Sequence, residues 1–586
     1  MSTPAVAYEF GPFRLSPIDR QLLRGDFPIP LTPKVFDTLV MLVERAGHLV
    51  PKDEFLASIW PDTVVEEVGL AHNISQLRRA LTDGRDQARF IQTVPKRGYR
   101  FVAPVTIVSA AAGHPEARIV LGVLPFDNLS GDSEREYLAD GMTEELIASL
   151  GQIDPGRIAV LGRTSMMMLK RRNRSIAEIG RQLNATYLIE GSLRSERGRI
   201  RVTTKLIRVS NQAATWSESF DAEPVSLLAF QRELSAAIAD QVRVRLTPKC
   251  LSALARRQTQ NADAYDLYLR GRYFWNQLTP ATNARALAYF ERAIALDPDY
   301  ALAWAGIANT VLGSSMNSDA APVGLLPRAR IAAARAVQAG PELADAHAAV
   351  GYVGFILEWA WVEAEAALRR AVALDPSCAV ALRVLGRLLS QTGRHDEARS
   401  VLSRLRELDP LYAMNHAMSS QVAFQARDYR EALAHARRAI VIDPEFWIGY
   451  MQLGQTCERL DQVDLALDAL ITAARLSGGN SKPIALRAYV LARAGRADDA
   501  RDLLRTLEAV ARDRYLSPAA FALVHAGLGH REAAFEWLDE AVAARDVHLI
   551  FLTMDSKWDE YRSDPRFETI LARCGFTGTI ENAPIG

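Results

Sequence analysis

The chain has 586 residues, 49% of them hydrophobic and 24% charged, with 69 Lys and Arg against 69 Asp and Glu. That length accommodates several cores of ordinary domain size, and the composition excludes a largely disordered polypeptide. The zero net charge is a sum of unlike parts: residues 1–105 carry 13 basic and 12 acidic side chains, residues 106–261 carry 21 and 17, and residues 262–586 carry 35 and 40. Four cysteines (Cys250, Cys378, Cys457, Cys574) are scattered without metal-ligand or redox spacing, which argues for reduced thiols and against a disulfide framework. The N-terminus lacks the basic and apolar regions of a signal peptide. No apolar run reaches the roughly 18 residues of a membrane helix, so a cytoplasmic chain with no membrane contact is expected.

Strand-like runs open the chain and three helices follow. Thr32 as N-cap, Pro33 at the first helical position, and Val35, Phe36, Leu39, Val40 and Val43 on one face predict a helix over 33–44, ended by Gly47. A second is predicted over 51–60, burying Phe55, Leu56 and Ile59. A third spans 69–81, where Leu70, Ile74, Leu77 and Leu81 recur at helical steps and leave His72, Asn73, Ser75, Gln76 and Arg79 on or beside the polar face. Residues 90–94 and 99–102 flank Pro95-Lys96-Arg97-Gly98, which reads as a β-hairpin with two adjacent cations at its tip. Residues 72–101 hold seven Lys or Arg and two acids. Three helices and a basic hairpin describe a winged helix-turn-helix, and such a tip suits phosphates and a minor groove.

The segments LAHNISQLRRAL (70–81) and FIQTVPKRGYRFVAPV (90–105), with Trp60-Pro61 ahead of them, resemble the DNA-binding domain of OmpR/PhoB-type regulators, and its ToxR/CadC-like branch in particular. The resemblance covers about residues 7–105. It implies double-stranded DNA as a partner, the third helix in the major groove, the wing in the minor groove, and a loop before the third helix that can touch RNA polymerase. Carried over by position, Ser75 and Gln76 fall among base and phosphate contacts, with His72 and Asn73 beside them. Arg78 and Arg79 would meet the DNA backbone, Lys96 and Arg97 form the wing tip, and Trp60 belongs to the core. Members of the family often carry arginine where Ser75 and Gln76 stand, so a homodimer or tandem sites are expected to supply the missing affinity.

A stretch rich in Ala, Ser and Gly, residues 106–117, reads as a linker. Over 118–247, strands are predicted near 119–126, 157–161, 187–193, 200–209 and 215–220, with helices at 137–150, 176–183 and 227–246, giving a small α/β domain. The phrases VLPFDNLSGD, LADGMTEELIASL, YLIEGSLR and WSESFD resemble the TolB-like N-terminal domain. That resemblance conveys no mechanism. Such domains accompany tetratricopeptide arrays, including in proteins with nucleotide cyclase domains, but no cyclase catalytic segment stands here. The Ser130-Gly131-Asp132 loop lacks either glycine-rich phosphate motif and reads as a plain loop.

After a second linker, 248–261, the sequence becomes Ala- and Arg-rich and repeats through 577. Leu374-Asp375-Pro376, Leu408-Asp409-Pro410 and Ile442-Asp443-Pro444 recur every 34 residues, with an earlier copy at Leu296-Asp297-Pro298. That period with helix–turn–helix texture marks tetratricopeptide repeats. Ala371, Ala398, Ala432 and Ala439 admit close helix contact, and each Asp-Pro pair ends a helix. About eight hairpins are expected between 262 and 545, with an insert near 314–327 adding a loop, and a short helix opening at 562–567 to cap the open end of the solenoid. The concave groove of such a stack holds a protein or peptide partner, while Trp304, Trp359, Trp361, Trp447 and Trp537 are assigned mainly to packing.

The expected fold is multidomain: an α+β winged helix (1–105), a small α/β TolB-like domain (118–247) and an all-α tetratricopeptide solenoid with a capping helix (262–577). Ten histidines form no metal spacing, and no nucleophile elbow appears, so no catalytic residue, cofactor or metal is expected. The sequence reads as a non-enzymatic, sequence-specific DNA-binding transcriptional regulator whose array is a protein-interaction or signal-input module. The alternative is a cytoplasmic interaction scaffold with secondary or lost DNA binding.

Overall fold

A computed structural model describes residues 6–17, 21–24, 27–29, 31–59, 67–81, 90–109, 118–154, 156–170, 174–196, 199–222, 227–242, 259–277 and 279–576. The chain divides into two units, residues 1–117 and 118–586. Trp60, most of the loop expected before the third helix, Arg85, Arg89 and most of both expected linkers lie outside the described residues.

In the first unit the elements run β1 (Val6–Phe10), β2 (Phe13–Ser16), β3 (Gln21–Arg24), β4 (Phe27–Ile29), α1 (Pro33–Glu44), β5 (Leu49–Pro51), α2 (Lys52–Ile59), α3 (Glu67–Ala80), β6 (Ile91–Val94), β7 (Gly98–Phe101) and β8 (Thr106–Ser109). The first four strands form an antiparallel meander. Here the linker expectation is corrected. Thr106–Ser109 pairs antiparallel with β1, Val6 opposite Ser109, so the chain leaving the wing returns to satisfy an exposed strand edge. The α1 bounds agree with the sequence reading, with Pro33 at the first turn, although the Thr32 side chain makes no cap bond. Phe10 packs edge-on against Phe101 at 5.0 Å and Phe13 against Phe90 at 5.4 Å, joining the meander to the wing through one aromatic core.

The second unit begins with β9 (Ile119–Val123), β10 (Asp127–Asn128), α4 (Glu136–Gly151), β11 (Ile158–Val160), α5 (Arg163–Met167), α6 (Ile176–Leu183), β12 (Tyr187–Glu196), β13 (Arg199–Arg208), β14 (Ala213–Ala222) and α7 (Leu227–Gln241). Its main sheet has the order β11-β9-β12-β13-β14, parallel across the first three strands and antiparallel across the last three.

Eight helical hairpins follow among the described residues, from Ala262–Trp275 with Pro280–Leu296 to Pro518–Gly527 with Arg531–Ala543. Asp297, Asp375, Asp409 and Asp443 each occupy a C-cap, where the chain turns extended or leaves helical geometry. Ala371, Ala398, Ala432 and Ala439 are fully buried. A Cβ on Gly386 would meet Leu402 at 2.8 Å, and one on Gly454 would meet Leu470 at 2.5 Å, so glycine permits these helix crossings. The loop expected near 314–327 is reduced to the turn 318–321, and the other residues of that span are helical. Those residues lengthen two helices, Ala301–Asn317 and Pro322–Ala339, because Ser314 and Ser315 return their hydroxyls to the Thr310 and Leu312 carbonyls.

Two long-range features were not expected. First, the α/β module and the array share one hydrophobic core. The Gly162 amide donates to Leu408 O at 2.5 Å, and the Ser165 amide and hydroxyl donate to Asp409 Oδ1 at 2.6 and 2.5 Å. Glu144 of α4 pairs with Arg272 and, at 3.1 Å, with Arg163. Second, the helix Pro565–Arg573 forms with Asp564 as N-cap, but its segment does more than cap the last hairpin. It folds back on earlier hairpins: Thr553 Oγ1 donates to Gln391 O at 2.9 Å, Trp361 Nε1 donates to Cys574 O at 2.9 Å, and the Trp361 and Phe576 rings lie 4.1 Å apart.

Two outcomes follow from this packing. Ser165→Ala removes the hydroxyl that donates to the buried Asp409 carboxylate and accepts from Leu411 N, and should lower the unfolding free energy by about 1–3 kcal/mol in equilibrium denaturation. Burial, reinforced by Glu144, raises the Glu145 carboxyl from 4.5 to about 7. The folded state therefore keeps this proton after an unfolded glutamate has released it, and stability falls as pH rises from about 4.5 to about 7. Glu145→Gln should flatten that part of a plot of unfolding midpoint against pH.

Candidate nucleic-acid interface

The α3 helix buries Leu70, Ile74 and Leu77 and turns His72, Ser75 and Arg79 to solvent, with Gln76 half-buried. Positions 72, 75, 76 and 79 share one face by helical spacing. The His72 Nε2 and Gln76 Nε2 atoms lie 2.7 Å apart, so these side chains pair across one turn. The result is a polar ridge of hydrogen-bonding groups ending in a cation.

Asn73 is a correction. It is 7% exposed, and its amide nitrogen donates to Thr38 Oγ1 at 3.0 Å and Lys34 O at 3.2 Å. Thr38 Oγ1 in turn donates to Lys34 O at 2.7 Å. Asn73 therefore fastens α3 to α1 and faces away from the ridge. The signal was in the spacing: it stands three residues after Leu70 and four before Leu77, on the apolar stripe.

Arg78 also has a different first task. Its Nη2 donates to Ile91 O at 2.9 Å and Thr93 Oγ1 at 2.8 Å, so it braces the wing against the helix. Thr93, overlooked in the sequence, serves as acceptor in that brace. The wing itself is the antiparallel pair β6–β7, with β5 added on the β7 side. Its turn places Lys96 in the left-handed region at φ 64° and closes with Arg97 N donating to Val94 O at 3.0 Å. A Cβ on Gly98 would sit 2.0 Å from Val50 O, so only glycine lets β7 pass so near β5. Lys96 and Arg97 are exposed, and neither forms an ion pair with a described residue.

Asn73→Ala should thus behave as a structural variant, lowering the unfolding midpoint of this unit by an amount that corresponds to about 1–2 kcal/mol. A DNA-contacting residue would instead change affinity and leave thermal unfolding in place, and the two readouts separate the roles.

Residues 26–101 match the family described as transcriptional regulatory protein, C terminal. Residues 117–237 match the second domain of HilA/YgeH-like transcriptional regulators, and residues 360–418 and 418–481 match tetratricopeptide repeats. The transcriptional regulator HilA of Salmonella typhimurium is 26% identical over 400 residues, 68% of this chain and 69% of that protein. Putative adenylate cyclase 3 of Rhizobium meliloti is 30% identical over 214 residues, 36% of each chain, so the match spans about a third of that relative. The transcriptional activator CadC of Escherichia coli is 32% identical over 114 residues, 19% of this chain and 22% of CadC. No helix among the described residues is long and apolar enough to cross a membrane. The first unit is a winged-helix DNA-binding domain of the transcriptional-regulator type, carried in one chain with a HilA-like second domain and tetratricopeptide repeats.

Proposed function

We propose that the protein is a cytoplasmic, sequence-specific transcriptional regulator. In this reading His72, Ser75, Gln76 and Arg79 meet base edges and phosphates in the major groove, while Lys96 and Arg97 reach the adjoining minor groove. The observation that carries it is the pairing of an exposed polar ridge on α3 with an exposed cationic wing tip, the two held together by Arg78. Arg78 contributes by fixing the helix-to-wing distance. The names of HilA and CadC as a transcriptional regulator and an activator support the same reading.

With one cation on the ridge, a single copy offers few phosphate contacts, which favours two copies on neighbouring half-sites. RNA polymerase is a further partner through residues 60–66, and the second unit serves as the input and protein-contact module. No step of this function needs catalysis by the chain.

The test is selection of genomic DNA fragments by the full-length protein, followed by a gel-shift salt series. Replacing both Lys96 and Arg97 by Ala should weaken all duplexes alike, by roughly tenfold at low salt, and reduce the slope of log affinity against log salt by about 2. Gln76→Ala should alter which fragments are selected. An unchanged salt slope in the double variant removes the wing from the interface, and failure to enrich any fragment removes the function.

A further inference from the structure

The concave side of the repeat array is not an open groove. Arg163 and Thr164 of the α/β module border one part of it, and His548, Phe551 and Trp558 of the folded-back C-terminal segment border another. Between them and the first helices of the hairpins lies a cavity of about 280 Å³. That is near the lower end of the range for small organic ligands. Its wall is mainly apolar, with Trp275 and Trp447 beside Met316, Met414, Met418 and Met451.

Charge inside it is unbalanced. Arg163, Arg383, Arg387, Lys482 and Lys557 line the space against one carboxylate, Asp555. Three of the cations have acidic neighbours. Arg163 lies 3.1 Å from Glu144, Lys557 lies 2.8 Å from Asp555, and Lys482, which donates to Met316 O, has Asp319 and Asp546 nearby. The two arginines do not share this provision. Arg387 is 7% exposed, its Nε has no hydrogen-bond partner, and its guanidinium sits against the Phe355 and Phe551 rings and the Tyr352 hydroxyl. No described carboxylate forms an ion pair with it, and burial beside Arg383 lowers its pKa from the ordinary value. Arg383, one turn before it, rests over the Tyr412 ring at 5.0 Å, and its Nε is also buried without a partner. Asp409, whose carboxyl feels the Arg383 charge, is already engaged by Ser165. On the same wall, Asn309 Oδ1 is buried without a partner.

A buried guanidinium without a counter-anion is strongly disfavoured unless something of opposite charge meets it. The planar fork of arginine suits a carboxylate, and methionine side chains adapt to an apolar body of varied shape. We propose that this cavity binds a small amphipathic carboxylate, with its charged end on Arg387 and Arg383 and its apolar part among the methionine and tryptophan side chains. Because the α/β module, the hairpins and the C-terminal segment all border the cavity, such a ligand ties the three together. The inference concerns the second unit alone and does not depend on DNA binding.

The test uses the full-length protein with phenylacetate and octanoate, each set against its neutral isostere, phenylacetamide or octanamide. Binding is read by tryptophan fluorescence and by thermal unfolding. At least one carboxylate should bind and raise the unfolding midpoint, and its amide should bind roughly tenfold more weakly or worse. Arg387→Met keeps most of the volume without the charge; it should weaken the carboxylate by a similar factor and leave the amide unchanged. Which acid binds better distinguishes an aliphatic from an aromatic body. Equal binding of acid and amide, undiminished binding by Arg387→Met, or no binding of either acid overturns the proposal. The acid–amide comparison is made on the unaltered protein, so the test survives if the variant fails to fold.

Discussion

At the Asp-Pro turns of three hairpins, the aspartate folds its carboxylate onto its own loop: Asp297 accepts from Asp299 N at 3.2 Å, Asp375 from Ser377 N at 2.8 Å, and Asp443 from Glu445 N at 3.0 Å. At the turn ending the fourth hairpin the same arrangement is opened and Ser165 is inserted. Its hydroxyl donates to Asp409 at 2.5 Å and accepts from Leu411 N at 2.8 Å, while its amide also donates to Asp409. A helix of the α/β module thereby completes a turn of the repeat array. Burial pushes the Asp409 carboxyl above its ordinary pKa, and the bonds from Ser165 oppose that shift. Gly162 follows from the same constraint, since a Cβ there would meet the Asp409 side chain at 2.7 Å. With α5 fixed in this way, Arg163 is held where it reaches both Glu144 and the interior cavity.

What the sequence revealed was local. Pro33, Gly47 and the spacing of Phe36, Leu39 and Val43 act within a few residues of one another, and α1 formed between the expected bounds. The Asp-Pro turns, the 34-residue period and the small residues at helix crossings are equally local, so the hairpins were legible. What could not be read depends on partners far along the chain. Ser165 and Asp409 are 244 residues apart, and Trp361 meets Cys574 across 213. Neither Ser165 nor Cys574 carries a periodic signal that names its partner. Thr106–Ser109 could be recognised as a strand only by knowing that β1 offered it an edge. The loop expected at 314–327 shrinks to 318–321 for another reason: the extra length between turns is taken up by longer helices, where serine hydroxyls are satisfied by carbonyls of the preceding turn.

The DNA-facing surface divides along the same line. His72, Ser75 and Arg79 stand out on α3 because the buried leucines and isoleucine leave them no other direction. Asn73 is polar yet buried, because Thr38 and the Lys34 carbonyl give it hydrogen bonds inside the unit. A buried asparagine with partners is a means of fixing helix orientation, since apolar contacts alone tolerate rotation. Arg78 shows a related division of labour. One guanidinium nitrogen is committed to β6, and the cost of a cation withheld from solvent is offset by a wing held at fixed distance from the ridge.

The interior of the array invites comparison between two cations of nearly equal burial. Lys557, 9% exposed, has Asp555 at 2.8 Å and the Gln455 side-chain Oε1 at 3.2 Å, and it lies 4.9 Å from the Phe424 ring. Arg387, 7% exposed, has two aromatic rings, a tyrosine hydroxyl and a second arginine nearby. The fold is therefore able to place a carboxylate and an amide around a buried cation in this cavity, and does so for Lys557. Cation–ring contacts soften the cost for Arg387 but do not neutralise its charge. If Arg387 served packing alone, a neutral side chain of similar length would fill the same space without desolvating a guanidinium. The retained charge is explained most economically by a carboxylate that arrives from outside the chain, and the apolar wall around it sets what the rest of that molecule must be.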